Sequence, residues 1–212
     1  MSDLTSIRRN YALKQLDENE VDKNPFAQFE KWFDEALNAK IIDPNAMILS
    51  TSTTEGKPSS RVVLLKQLDS NGFSFFTNYQ SHKGIQLELN PYAALVFFWP
   101  ELERQIRIEG IVSKVSKKDS DDYFNSRPEG SKIGAWSSPQ SKTIPNRKYL
   151  EKLKVDFEKQ FSSKTISRPP HWGGFRLDPN LFEFWQGRPD RLHDRIQYSI
   201  VNNEWIIERL AP

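Results

Sequence analysis

The sequence predicts a mainly β protein with helices (α+β): an antiparallel meander or barrel, opened by an N-terminal helix and interrupted by a helical insertion. Three observations carry that prediction. Five short runs, 46–52, 61–66, 73–77, 93–99 and 105–115, are rich in the β-branched and aromatic residues that suit a pleated surface. Turn chemistry separates several of them, at Glu55, Gly56, Lys57 and Pro58 and again at Asp69, Ser70, Asn71 and Gly72. Strands joined by short turns pair antiparallel, because parallel neighbours need a long crossover, so a doubly wound nucleotide fold is disfavoured.

Taken in order, residues 1–23 are polar and aperiodic and are expected to form a mobile arm. Asn24 and Pro25 then supply a cap and a first-turn proline ahead of Phe26, Phe29, Trp32, Phe33, Ala36 and Leu37, whose spacing predicts an amphipathic helix. The five strand runs follow. A helical insertion is expected over 117–160, with Asp119 or Ser120 as its cap and a second helix from Asn146 onward. Runs at 173–177, 181–186, 196–201 and 205–209 return to strand and would complete the barrel. No repeat or linker divides the chain, so residues 24–212 are expected to be a single domain.

Composition narrows the chemistry. The 212 residues carry 30 Lys+Arg against 28 Asp+Glu, a formal net charge of +2, so nothing demands a nucleic-acid or membrane partner. No cysteine is present, which removes disulfides, thiolate metal sites and a cysteine nucleophile; three dispersed histidines argue against a metal centre. The N-terminal residues lack the apolar run of a secretory signal, and no stretch reaches membrane-spanning length, so a cytoplasmic protein is expected. Aromatics at 12% exceed what a small core needs and fit a flat ligand or a large subunit interface.

Several constellations suit anions. Arg61 and Lys66 bracket an apolar run, although strand alternation sends them to opposite sides unless the strand bulges; each is also what an ordinary strand-end charge looks like. Thr77, Ser81, His82, Lys83 and Gly84 join a strand to a helical segment, where hydroxyls and free backbone donors suit a phosphate or simply cap a helix. Tyr123, Arg127 and Ser131 recur every four residues, which on a continuous helix puts them near one face, but Pro128 and Gly130 interrupt it. Trp136, Gln140 and Ser141 follow in a Ser/Pro-rich loop of the kind that closes over ligands. Near the C-terminus, Trp185, Arg188, Arg191, His193 and Arg195 combine stacking, bidentate donors and a titratable ring in eleven residues. No nucleophilic triad is visible: Asp190 and Asp194 beside His193 do not converge with it on a strand.

These motifs, in this order and at these spacings, resemble the pyridoxine (pyridoxamine) 5′-phosphate oxidase family over nearly the whole chain. The resemblance rests on the run from Arg61 to Lys66, on Phe75, Phe76, Thr77 and Asn78, and on Ser81 to Lys83. It continues through Gln105 to Arg107, Tyr123 with Arg127 and Ser131, and Gln140 with Ser141. It ends with Trp185 to Arg188, Arg191 to Arg195, and Glu208 to Pro212.

What the resemblance implies is an FMN-binding split β-barrel homodimer with two FMN molecules at the subunit interface. It implies oxidation of pyridoxine 5′-phosphate and pyridoxamine 5′-phosphate to pyridoxal 5′-phosphate by O2, with H2O2 released, and NH3 as well from the amine. FMN would be held by Arg61, Val62, Val63, Leu64, Leu65, Lys66, Phe76, Thr77, His82, Lys83, Gln140 and Ser141, with Gln105, Trp185 and Arg195 serving the flavin. Substrate phosphate would fall to Lys66, Tyr123, Arg127 and Ser131. Arg191, Leu192 and His193 would meet the pyridoxine ring, Arg191 and His193 as the catalytic pair, and Arg8, Arg9, Asn10 and Tyr11 would form a lid.

Three positions depart from the family pattern: His82 where arginine is frequent, Phe76 where tyrosine is common, and Asn10 where an acid often stands. None removes a group assigned to the chemistry. Two other readings compete. A related split-barrel flavin oxidoreductase on another substrate would keep Arg61 and Lys83 but not the phosphate set around Arg127. A flavin or pyridoxal phosphate carrier would have no use for Arg191 with His193.

Overall fold

The computed structural model describes residues 4–6 and 9–212. Helix α1 (Pro25–Asn38) starts where the cap predicts, the Asn24 side chain accepting from the Phe26 N–H at 2.9 Å. Nine strands follow: β1 (Ala46–Ser52), β2 (Pro58–Leu64), β3 (Gln67–Asp69), β4 (Gly72–Asn78), β5 (Tyr92–Trp99), β6 (Arg104–Lys114), β7 (Trp172–Gln186), β8 (Asp194–Val201) and β9 (Glu204–Leu210). Helix α2 (His82–Leu89) lies between β4 and β5, and α3 (Lys117–Ser126), α4 (Glu129–Ser137) and α5 (Arg147–Phe161) form the insertion.

Every strand pairing is antiparallel, and one path runs β2-β1-β5-β6-β7-β4-β3. The sheet splits at β7. Its first half pairs with β4, Phe75 opposite Phe175, and its second half with β8, Phe184 opposite Ile196, while β6 follows nearly the whole strand on its other side. A register shift after Glu109 accommodates Pro179, which has no N–H for the ladder. The result is a mainly antiparallel half-barrel with five α-helices among the described residues.

Alternation along the strands sends one face inward. Phe73, Phe75, Phe97, Phe182 and Phe184 are fully buried there, and α1 closes over them through Phe29, whose ring meets Phe73 at 4.9 Å and Phe97 at 5.0 Å. Truncating such a ring costs roughly 3–5 kcal/mol, because the surroundings relax only partly into the cavity. A second cluster lies where the insertion covers Trp172: Phe124, Ile133 and Ile166 pack there, and Phe76 and Tyr123 join it.

Some local expectations are corrected. The insertion is capped by Ser116, not Asp119 or Ser120: its hydroxyl accepts from the Asp119 N–H at 3.0 Å, and Ser120 is buried against the Gly174 N–H. Pro128 does not merely end a helix; it stands at the head of α4, so Ser131 sits in that helix's first turn and Trp136 is helical rather than in the loop. The runs 173–177 and 181–186 are one strand, held continuous because β6 spans both. The second strand lies earlier than its apolar run, at Pro58–Leu64, since β1 pairs with it down to Pro58, and Lys66 falls beyond it. Helix α5 begins after Asn146 as expected, its side chain accepting from the Tyr149 N–H.

Candidate functional site

The expected site residues fall into two groups at opposite ends of β7. That strand runs for fifteen residues, which at ~3.3 Å per residue is roughly 45 Å from end to end along its path.

At the Trp172 end, Arg61 turns inward from β2. Its guanidinium donates to the Leu49 carbonyl at 3.1 Å, the Thr51 hydroxyl at 2.6 Å and the Ser59 hydroxyl at 2.7 Å, all neutral acceptors. Lys83 stands in the first turn of α2, behind the Ser81 cap, and donates to the Thr77 hydroxyl at 3.3 Å; that hydroxyl in turn donates to Gln140 at 3.2 Å. Gly84 permits the tight entry to α2, since a Cβ there would lie 2.2 Å from the Tyr79 carbonyl oxygen. Burial lowers the affinity of Lys83 for its proton, and the nearby charge of Arg61 lowers it further; burial does the same to Arg61. Two partly buried cations that repel each other, with no carboxylate among the groups bonding them, form a site prepared for an anion. Ser141 follows in a left-handed turn (φ 68°), and His82 is exposed at the first position of α2. These residues fit the phosphate end of FMN.

The same end carries the second anion group. Arg127, at the C-cap of α3, lies 4.5 Å over the Trp172 ring, and one of its Nη atoms is buried without a hydrogen-bond partner. Burial lowers its proton affinity as well. An unpaired buried donor on a cation is costly, and an incoming phosphate would remove the cost. Tyr123 is adjacent, stacked on Phe76 at 3.9 Å. Phe76 therefore sides with Tyr123 and Arg127, while its neighbour Thr77 points to the opposite face with Lys83, as strand alternation requires. Val62 and Leu64 are exposed on one face of β2, Val63 and Leu65 face the other way, and Lys66 is exposed on the rim of the groove between α1 and β3.

At the Gln186 end the register aligns Gln105, Trp185 and Arg195 across β6, β7 and β8. Arg195 is held by Glu183 at 2.8 Å and by the Ala211 carbonyl at 2.8 Å, which explains the use of the last residues of the chain. Beyond it Arg9, Asn10, Tyr11, Arg188, Asp190, Arg191 and His193 line a cavity of about 490 Å³. Asp190 and Arg191 both adopt left-handed backbone (φ 55° and 63°), an uncommon pair for non-glycine residues that presents Arg191 on a sharp turn. The His193 ring packs 4.6 Å from Trp185 and 5.8 Å from Tyr11. Its Nδ1 accepts from the Arg188 N–H at 3.1 Å, so the neutral ring carries its proton on Nε2. Burial, and then the charge of Arg191, hold its proton affinity below the ordinary histidine range, against a smaller opposing effect of Asp194. Leu192 is exposed, and Arg8 lies outside the described residues.

Arg61 and Gln105 also face different sides of the sheet. Arg61 pairs with Leu49, Leu49 with Leu95, and Leu95 with Ile108, which puts all four on the inner face. Gln105 is three residues from Ile108 and so faces outward. One chain therefore does not bring the two groups together. Sequence reasoning missed Glu103, Glu183 and the Arg188 N–H, none of which carries a local motif. Among the described residues there is no cluster of three or more potential metal ligands, and no helix long and apolar enough to cross a membrane.

Residues 33–157 match the family model described as pyridoxamine 5′-phosphate oxidase, and residues 172–212 match that of the pyridoxine 5′-phosphate oxidase C-terminal dimerisation region. The chain is 54% identical over 209 residues to the pyridoxine/pyridoxamine 5′-phosphate oxidase of a Cyanothece species, covering 99% of this chain and 98% of the relative. To the protein of the same name from Polynucleobacter asymbioticus it is 52% identical over the full length of both. Among solved structures, PhzG from Burkholderia lata, in complex with tetrahydrophenazine-1-carboxylic acid, is 28% identical. It has a TM-score of 0.88 and covers 94% of this chain and 99% of its own. A pyridoxamine 5′-phosphate oxidase-related, FMN binding protein from Nostoc punctiforme shares the fold at a TM-score of 0.71 and 17% identity, covering 91% of this chain and all of its own.

Proposed function

The chain belongs to the pyridoxine/pyridoxamine 5′-phosphate oxidase family, and from that premise we propose that it oxidises both vitamer phosphates to pyridoxal 5′-phosphate, with FMN as redox group and O2 as final acceptor. Pyridoxine 5′-phosphate and O2 give the aldehyde and H2O2. Pyridoxamine 5′-phosphate, O2 and water give the aldehyde, NH3 and H2O2. The observation that carries this reading is Arg127, a cation with a buried unpartnered nitrogen beside Tyr123, separate from the Arg61 and Lys83 pair. Two phosphates, one from FMN and one from substrate, need two such pockets.

Because the half-sites lie at opposite ends of β7, the working site is formed between two copies of the chain: Arg61, Thr77, Lys83, Gln140 and Ser141, with Tyr123, Arg127 and Ser131, from one, and Gln105, Trp185, Arg195, Arg191 and His193 from the other. The dimerisation region at residues 172–212 supports that assembly, since it contains the whole second group except Gln105.

When bound, FMN supplies the two-electron chemistry at the substrate's 4′ carbon. The protein's part is positional and electrostatic. Arg127, Tyr123 and Ser131 anchor the phosphate, fixing the distance from there to the reacting carbon. Arg191 orients the ring and balances negative charge on it, while His193 donates from Nε2 to a substrate oxygen or nitrogen. Tyr11, edge-on to Trp185 at 5.7 Å, excludes water on the arm side.

The test is direct. The purified protein should be yellow or become so with FMN, and under air should form equal amounts of aldehyde and peroxide from pyridoxine 5′-phosphate. A colourless protein that FMN does not reconstitute would sink the flavin assignment. Bound flavin without turnover of either vitamer phosphate would sink the substrate assignment alone.

A further inference from the structure

We propose that Glu103 is a positioning residue: its buried carboxylate latches residues 9–13 over the pocket of Arg191 and His193 and so seats Tyr11 against Trp185 and His193. The proposal rests on the reading of that pocket as the substrate site.

The arm segment has no strand partner, so something other than a β ladder must satisfy its backbone. One Glu103 carboxylate oxygen accepts from the Ala12 N–H at 2.9 Å and the Leu13 N–H at 3.1 Å, and the other faces the Arg9 guanidinium at 3.5 Å. Arg9 also donates to the Pro100 carbonyl at 3.0 Å. The side chain of Glu103 is only 3% exposed, and these donors satisfy its buried carboxylate oxygens.

Its own backbone is held from two directions. Glu103 takes the left-handed conformation (φ 55°) after the 3₁₀ turn Pro100–Leu102, and its carbonyl accepts from the Gly187 N–H at 2.8 Å and from the Gln186 side chain at 3.2 Å. The latch is thereby tied to the end of β7, two residues from Trp185. Gly187 makes the seat: a Cβ there would lie 2.7 Å from Tyr11 Cγ. Opening the arm exchanges these hydrogen bonds for bonds to water at modest net cost, as a lid that opens for each substrate requires.

The test uses the FMN-loaded enzyme with Glu103→Ala and Glu103→Gln. In wild type the Ala12 and Leu13 amides should be protected from hydrogen exchange. In Glu103→Ala they should exchange like unstructured peptide, with KM for pyridoxine 5′-phosphate raised about ten- to hundredfold, kcat less affected and flavin content unchanged. Glu103→Gln keeps one acceptor oxygen and should fall between. Gly187→Ala presses on the seated ring, with its Cβ 2.7 Å from Tyr11 Cγ and 3.1 Å from Glu103 Cβ, and should raise KM with flavin content unchanged; an unchanged KM in this variant would overturn the latch if Glu103→Ala fails to fold. Persistent protection of both amides in Glu103→Ala would overturn the latch, and so would released amides with an unchanged KM. If wild type oxidises neither vitamer phosphate, the functional reading fails by itself, and amide exchange still decides whether Glu103 holds the arm.

Discussion

Arg61 and Gln105 face opposite sides of one sheet. The pairing Arg61, Leu49, Leu95, Ile108 carries the inner face from β2 to β6, and Gln105 stands an odd number of residues from Ile108. Residues on opposite faces of one sheet do not converge within a chain, and it is this parity that motivates the proposal of a site shared between two copies.

Mixed dimers give the first prediction. Lys83→Ala damages one half-site and Arg191→Ala the other, so at FMN concentrations that load only intact sites each homodimer should be nearly inactive. A heterodimer of the two carries one intact site. Refolding the variants together in equal amounts should restore about a quarter of wild-type activity, from half the dimers each with one of two sites working. No recovery would place both groups on the same chain's site.

The same variants should separate cofactor from chemistry. Lys83→Ala removes one of two unpaired cations and should weaken FMN roughly ten- to hundredfold, the worth of a charge-assisted hydrogen bond. Arg191→Ala should retain flavin and lower kcat on the order of 10²- to 10³-fold. Fluorescence titration of FMN and steady-state kinetics check the two, and loss of flavin from Arg191→Ala would reverse the assignment.

His193 sets the acid limb. Its proton affinity in the fold is below the ordinary value, through burial and then Arg191, so the neutral ring with Nδ1 bonded to the Arg188 N–H persists to lower pH. Protonation places a proton on Nδ1 and breaks that bond. Activity should fall as pH drops through a midpoint below the ordinary histidine value, and Arg191→Lys should keep the limb low. The stability linkage has the same sign: the unfolded chain binds the proton more readily, so this contribution is present above the unfolded value and is lost as pH falls through the folded one. A pH series of kcat/KM alongside urea melts measures both.

Glu183 should matter for both stability and flavin. It is 3% exposed and accepts from Arg107 at 2.9 Å and Arg195 at 2.8 Å, each guanidinium itself partly open to solvent. Glu183→Ala should cost about 1–2 kcal/mol after solvent screening is allowed for, read from urea unfolding. Releasing Arg195 should also weaken FMN, which separates this variant from an ordinary core substitution.

Much of this was legible in the chain. Asn24 and Asn146 announce helix starts through side chains that reach two or three residues, and the β runs show themselves by composition and turns. Tyr123 with Arg127 was identifiable from residue type at short spacing, whereas Arg61 and Lys83, far apart in the chain, were joined only by the family resemblance. Where local reading failed, a distant partner had intervened: β6 holds 173–177 and 181–186 in one strand, and β1 draws the second strand back to Pro58.

By itself, then, the sequence determined the inventory: an antiparallel sheet, a helical insertion, two cationic sets, and a segment rich in arginine, with histidine and tryptophan, near the C-terminus. Tertiary structure alone decided that both cationic sets lie at one end of β7 and the C-terminal segment at the other, that Arg61 and Gln105 face opposite sides of the sheet, and that Glu103 meets Ala12 and Leu13 some ninety residues away. Local periodicity reports which way a side chain points within its own element. Which elements meet is settled by the burial of Phe29, Phe73, Phe97 and Phe182 in one core, and no window of sequence contains all four.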